Sequence, residues 1–95
     1  MTITYVNNNY IDHNKAVISV EDRGLLFSDS IYELISVFNS RIIDFDLHIK
    51  RLFISLKKIR IKPNFSKKKI ENIINKLMNQ NSLVITQKLC FMRII

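Results

Sequence analysis

Ninety-five residues carrying a net charge of +7 make one domain at most. At 47% apolar and 24% charged, with one Gly and one Pro, the chain is globular, and its composition supports neither disorder nor a linker. No apolar run approaches the ~20 residues that cross a bilayer.

MTITYVNNNY has neither the basic start nor the apolar middle of a secretion signal. The lone Cys90 has no partner for an internal disulfide and no CxxC neighbour for a metal. A cytoplasmic protein with no metal site is expected. The charge is uneven. Residues 1–46 hold Lys15, Arg23 and Arg41 against seven acids, whereas residues 47–95 hold twelve Lys and Arg against Glu71 alone. Such a half can meet nucleic acid or an anionic membrane. Ile, Asn and Lys, however, supply 17, 10 and 10 residues, the bias of an AT-rich coding sequence. A solvated basic face is the commoner outcome, so neither nucleic acid nor membrane is expected as a partner.

Thr2 to Val6 alternates β-branched and aromatic residues and reads as a strand. Asn7-Asn8-Asn9 is turn chemistry, and Tyr10-Ile11 resumes the strand to close a hairpin. Asp12 to Lys15 is polar loop. Ala16 to Val20 is a short apolar run ending in the turn Glu21-Asp22-Arg23-Gly24, where the single Gly suggests a backbone angle other residues resist. Ile31 to Phe38 is the longest strand. Its alternation puts Ile31, Glu33, Ile35 and Val37 on one face and Tyr32, Leu34, Ser36 and Phe38 on the other. A carboxylate on an apolar face requires a partner, water or a chemical role. Asn39-Ser40 fits a two-residue turn, with Arg41 to Phe45 returning as the partner strand.

Asp46 can cap a helix in which Ile49, Leu52, Phe53, Leu56 and Ile59 form an apolar stripe, with His48, Arg51 and Ser55 together on an adjacent face. Pro63 closes that region. Ser66 is a second cap, for a helix through about Asn79 with Ile70, Ile73, Ile74 and Leu77 inward. Leu83 to Thr86 and Leu89 to Ile95 read as strand. Taken alone, Arg51 is an exposed helix arginine, Tyr32 an aromatic strand residue, Glu33 a paired surface or edge charge, and His48 a satisfied helix histidine.

The stretch Ile18 to Ile61, ISVEDRGLLFSDSIYELISVFNSRIIDFDLHIKRLFISLKKIRI, resembles the N-terminal domain of the class IV (fold type IV) pyridoxal phosphate aminotransferases, nearest to the D-amino acid (D-alanine) aminotransferase branch. The Asp22-Arg23-Gly24 turn, Phe27 and Asp29, the Tyr32-Glu33 pair, and the helix with His48, Ile49, Arg51, Leu52 and Ser55 fall in family order. Tyr5 to Ser19 is similar to the family's first hairpin. Lys88 to Ile95 resembles the strand leading to its QVTRG motif. Two positions depart: Ser28 stands where relatives carry Gly or Ala, and Ser30 where they carry Gly.

The resemblance implies an α+β fold, with helices packed on one face of an antiparallel-rich sheet. It makes residues 1–95 the small N-terminal domain, truncated, with a second domain absent. It implies pyridoxal 5′-phosphate as cofactor, a D-amino acid and a 2-oxo acid as substrates, and a homodimer or a second chain carrying the missing domain. By family position, Arg51 holds the cofactor phosphate, and Tyr32 and the acidic residue that follows it, Glu33, are the substrate-binding residues of the active-site wall; His48 receives no role. The lysine that attaches the cofactor lies beyond residue 95 in the family, so no catalytic residue is assigned and these residues alone are expected to be inactive. Two alternatives remain: 4-amino-4-deoxychorismate lyase or branched-chain aminotransferase on the same fold, and a small basic binding module.

Overall fold

The computed structural model describes residues 2–22, 26–27, 30–81 and 88–94, with backbone alone for Tyr32 and for 88–94. Strands β1 (Ile3–Val6) and β2 (Asn9–Asp12) form one antiparallel hairpin. A second sheet has the order β4-β3-β5, with β3 Ile31–Phe38, β4 Arg41–Ile42 and β5 Lys88–Ile94. Helices α1 (Phe45–Lys58) and α2 (Lys67–Gln80) lie between β4 and β5 in the chain. The fold class is therefore α+β, with both sheets antiparallel.

Both tight turns follow from residues that accept left-handed backbone. Asn7 and Asn8 take φ of 48° and 68°, and Asn39 and Ser40 take 50° and 63°. Two successive positive φ values match the right-handed twist of a two-residue hairpin. Across the first hairpin Tyr5 pairs with Tyr10, edge to face, with ring centroids 4.9 Å apart. The Nζ of Lys76 sits 4.2 Å from the Tyr10 centroid, which brings α2 against this hairpin.

The core is one cluster. It joins Ile35 and Val37 of β3 to Ile49, Leu52 and Leu56 of α1 and Ile70, Ile74 and Met78 of α2. Both helices thus cover the same face of β3, the face the strand alternation marks as apolar. The opposite face keeps Leu34 and Phe38 exposed. Ser66 caps α2 by accepting a bond from the Lys69 N–H at 3.1 Å. At the other end of α2, the Asn81 side chain works as a clip. Its Oδ1 accepts from the Ile3 N–H at 2.7 Å, and its Nδ2 donates to the Ile3 carbonyl at 3.0 Å and to the Leu77 carbonyl at 2.9 Å. One amide thereby satisfies backbone groups of β1 and the last turn of α2.

Several details differ from the sequence reading. The strand expected over Arg41 to Phe45 stops at Ile42, because Asp44 turns left-handed (φ 53°); the Ile43 N–H extends the pairing to the Ser36 carbonyl at 2.9 Å. Asp44, not Asp46, holds the cap position of α1, and it makes no side-chain capping bond. Asp46 lies in the first turn, where a carboxylate complements the helix dipole, and pairs with Lys67. In α2 the buried stripe is Ile70, Ile74 and Met78, with Ile73 and Leu77 half-buried. His13–Lys15 forms a short 3-10 turn capped by Asp12 where polar loop was expected. Val17, Ile18 and Val20 are exposed. Gly24, Ser28, Asp29 and the expected strand at 83–86 lie outside the described residues.

Helix α1 ends in a Schellman motif. The Arg60 N–H bonds to the Lys57 carbonyl at 3.1 Å, and the Ile61 N–H reaches back to Leu56 at 3.0 Å. Arg60 is left-handed there, φ 59°, a position that glycine adopts without a Cβ penalty. Arg60→Gly should therefore stabilise the chain by about 0.5–1 kcal/mol, read as a higher midpoint in denaturant unfolding.

Candidate functional site

Glu33 sits on the apolar face of β3, the central strand, two residues before Ile35. It is 4% exposed and is the one charged residue buried among the described residues. Helix α1 crosses that face and supplies its partners. His48 and Arg51, three residues apart, share one side of the helix and both reach Glu33.

The contact with Arg51 is two-pronged. Nε donates to Oε1 at 2.8 Å and Nη2 donates to Oε2 at 2.6 Å. His48 Nδ1 lies 2.9 Å from Oε2. A carboxylate only accepts, so this geometry places the proton on Nδ1 of His48. The 3.4 Å approach of Arg51 Nη2 to that same Nδ1 is then a meeting of two donors, each drawn to the shared oxygen. Among the described residues no buried side-chain nitrogen or oxygen lacks a partner.

Burial is asymmetric across the pair. The carboxylate is enclosed, whereas the Arg51 side chain is 65% exposed. The guanidinium presents its Nε–Nη2 edge to the protein, and Nη1 makes no hydrogen bond among the described residues. A cation with an open edge, held by a buried anion, suits a phosphate or carboxylate group arriving from outside. The donor chemistry fits the phosphate of pyridoxal 5′-phosphate, with Arg51 as the residue that would hold it.

The structure therefore joins Arg51 and Glu33, named separately in the sequence, and adds His48, to which the sequence reading gave no role. Two signals pointed to it: the shared helix face with Arg51, and a carboxylate on an apolar strand face in need of cations. Ser55 is half-buried one turn beyond Arg51. Tyr32 is placed by its backbone alone, opposite Arg93 of β5; its side chain lies outside the description.

The hydrogen bonds from Arg51, and secondarily those from His48, hold the Glu33 carboxyl below the usual carboxylate range, against the upward push of burial. The same pairing raises the Arg51 guanidinium. An acid with a depressed folded pKa binds its proton more readily in the unfolded chain. Its stabilisation is complete above the ordinary Glu value, about 4.3, and is lost as pH falls through the lower folded value. Unfolding free energy should therefore drop as pH falls below the ordinary Glu value, about 4.3, more steeply in the wild type than in Glu33→Gln. At pH 7 that variant should be less stable by about 1–3 kcal/mol, measured by denaturant unfolding at each pH.

The class IV amino-transferase family model matches residues 30–94, the segment that holds β3, α1, α2 and β5. The D-alanine aminotransferase of Listeria monocytogenes is 32% identical over 78 residues, which cover 82% of this chain and 27% of that protein. That of Staphylococcus haemolyticus is 29% identical over 83 residues, 87% of this chain and 29% of that protein. That of Bacillus licheniformis is 31% identical over 75 residues, 79% and 26% respectively. The chain thus spans a little over a quarter of the length of these relatives. With the family match running through the strand and helix that carry Glu33, His48 and Arg51, the chain belongs to the class IV aminotransferases.

Proposed function

We propose that these residues form the phosphate-holding wall of a pyridoxal 5′-phosphate site in an enzyme that moves an amino group from a D-amino acid to a 2-oxo acid. The observation that carries the reading is the exposed, open-edged guanidinium of Arg51, fixed to the buried Glu33 within a family-matched segment. The D-amino acid preference draws on the D-alanine aminotransferases among the relatives. When bound, the cofactor supplies the carbonyl and electron-withdrawing ring through which the amino group passes.

The chain's own residues bind and orient. Arg51 neutralises the phosphate charge through its outward N–H groups, Glu33 and His48 set the direction of that cation, and Tyr32 contributes to the substrate wall. The chemical step takes place outside these 95 residues, in a second domain or a second chain. A homodimer and a cytoplasmic location belong to the same proposal; among the described residues no helix is long and apolar enough to cross a membrane.

Two measurements test this. Pyridoxal 5′-phosphate should shift the amide NMR signals around Arg51, while pyridoxal, which lacks the phosphate, should do so far more weakly. Arg51→Ala should cut affinity for the phosphorylated form by roughly ten- to a hundredfold, the loss of charge-assisted hydrogen bonds. Equal binding of the two compounds would remove Arg51 from this role. Assayed as these 95 residues, the chain should not convert D-alanine and 2-oxoglutarate to pyruvate and glutamate, and turnover above the no-protein control would contradict the placement of the chemistry elsewhere.

A further inference from the structure

The pair formed by Glu33 and Arg51 raises a question of sign. A carboxylate touching an arginine can do two opposite things to an incoming anion. It can compete, cancelling the positive charge, or it can aim, fixing the guanidinium so that its remaining N–H groups meet the anion already oriented. We propose that Glu33 aims: it is a positioning residue that locks the plane of Arg51, with His48 holding the carboxylate in turn, so that the outward edge of Arg51 receives a phosphate monoester.

Three observations support it. The fork is side-on, using Nε and Nη2, which fixes both the plane and the direction of the guanidinium. Such a fork leaves Nη1 without a hydrogen bond among the described residues, so the carboxylate and an outside oxyanion use different edges of one cation. Second, the anchor is rigid. Glu33 lies within β3, in register with Met92 of β5, and its carboxylate is held by Arg51 through both oxygens and by His48 at Oε2. Third, the carboxylate is 4% exposed against 65% for the arginine, so the negative charge faces the core and the cation faces outward. An unanchored arginine has many rotamers to lose when it binds; one held by its inner edge has already lost them before the anion arrives.

This inference rests on the reading of Arg51 as a phosphate-binding residue, and the test separates the two. The full 95-residue chain is titrated with inorganic phosphate by NMR, alongside Glu33→Gln and Arg51→Ala. Aiming predicts that Glu33→Gln weakens phosphate binding by about tenfold even though the variant is more positively charged. Unchanged or tighter binding by Glu33→Gln, with Arg51→Ala weakened, overturns the positioning role and leaves the phosphate reading standing. Unchanged binding by Arg51→Ala overturns both. Because Glu33→Gln could fail to fold, the unmutated chain carries an independent readout. The Arg51 Nε–H vector should be as rigid as the backbone, with an order parameter of about 0.85, and a value below about 0.6 would show a free side chain and overturn the proposal.

Discussion

An isolated carboxylate taken out of water pays several kcal/mol after relaxation, and the surrounding structure must supply cations or the group neutralises. Glu33 is where this chain meets that demand. Its position on the covered face of β3 dictates that α1 cross with His48 and Arg51 toward the strand, which in turn sets the rotation of α1 and sends Leu52 and Leu56 into the core beside Ile35 and Val37. The apolar stripe and the polar cluster are two parts of one helix face, and each restricts the other. The stripe alone tolerates some rotation of the helix; a two-pronged bond tolerates little. The same interaction thus fixes the packing of α1 and presents a cation at the surface.

Much of the fold could be read from residue order because local rules decided it. Strand β3 has the bounds its alternation marks, the Asn-rich and Asn-Ser turns take positive φ, and Ser66 caps α2. What the sequence hid depended on choices between near-equivalent residues. Asp44 and Asp46 both suit the start of a helix, and a left-handed turn at Asp44 decided between them. Ile73, Leu77 and Met78 can all face inward, and the rotation of α2 on β3 chose Met78. The site shows the same division. Arg51 and Glu33 were each visible, one by its place in a helix motif and the other by its odd face. That they bond to each other, and that His48 joins them, follows from how a helix lies across a strand, which no local pattern encodes.

The charge asymmetry takes a modest place in this picture. Lys57, Lys58, Arg60, Lys62, Lys67, Lys68 and Lys69 lie exposed around the connection between the helices, and of these Lys67 and Lys68 pair with Asp46 and Glu71. Exposed pairs of this kind contribute little to stability. Arg51 differs from them because its anion is buried: an exposed lysine is held by solvent, whereas Arg51 is held by the core.

The strand that carries Glu33 has neighbours made at very different times. Strand β4 follows it after two residues, but β5, which pairs with β3 in seven registered positions from Ile31–Ile94 to Val37–Lys88, is synthesised only after both helices. As the chain leaves the ribosome, β3 and β4 can close at once and α1 can dock, while one whole edge of β3 keeps its amide and carbonyl groups unpaired. An unfinished edge of that length invites pairing with other nascent chains. The charged cluster that β3 shares with α1 then has a second consequence: a slip of β3 by one residue against β4 and α1 would turn Glu33 to the opposite face, away from His48 and Arg51, and strand its charge. The buried ion cluster therefore also checks strand register while the last partner is still being made.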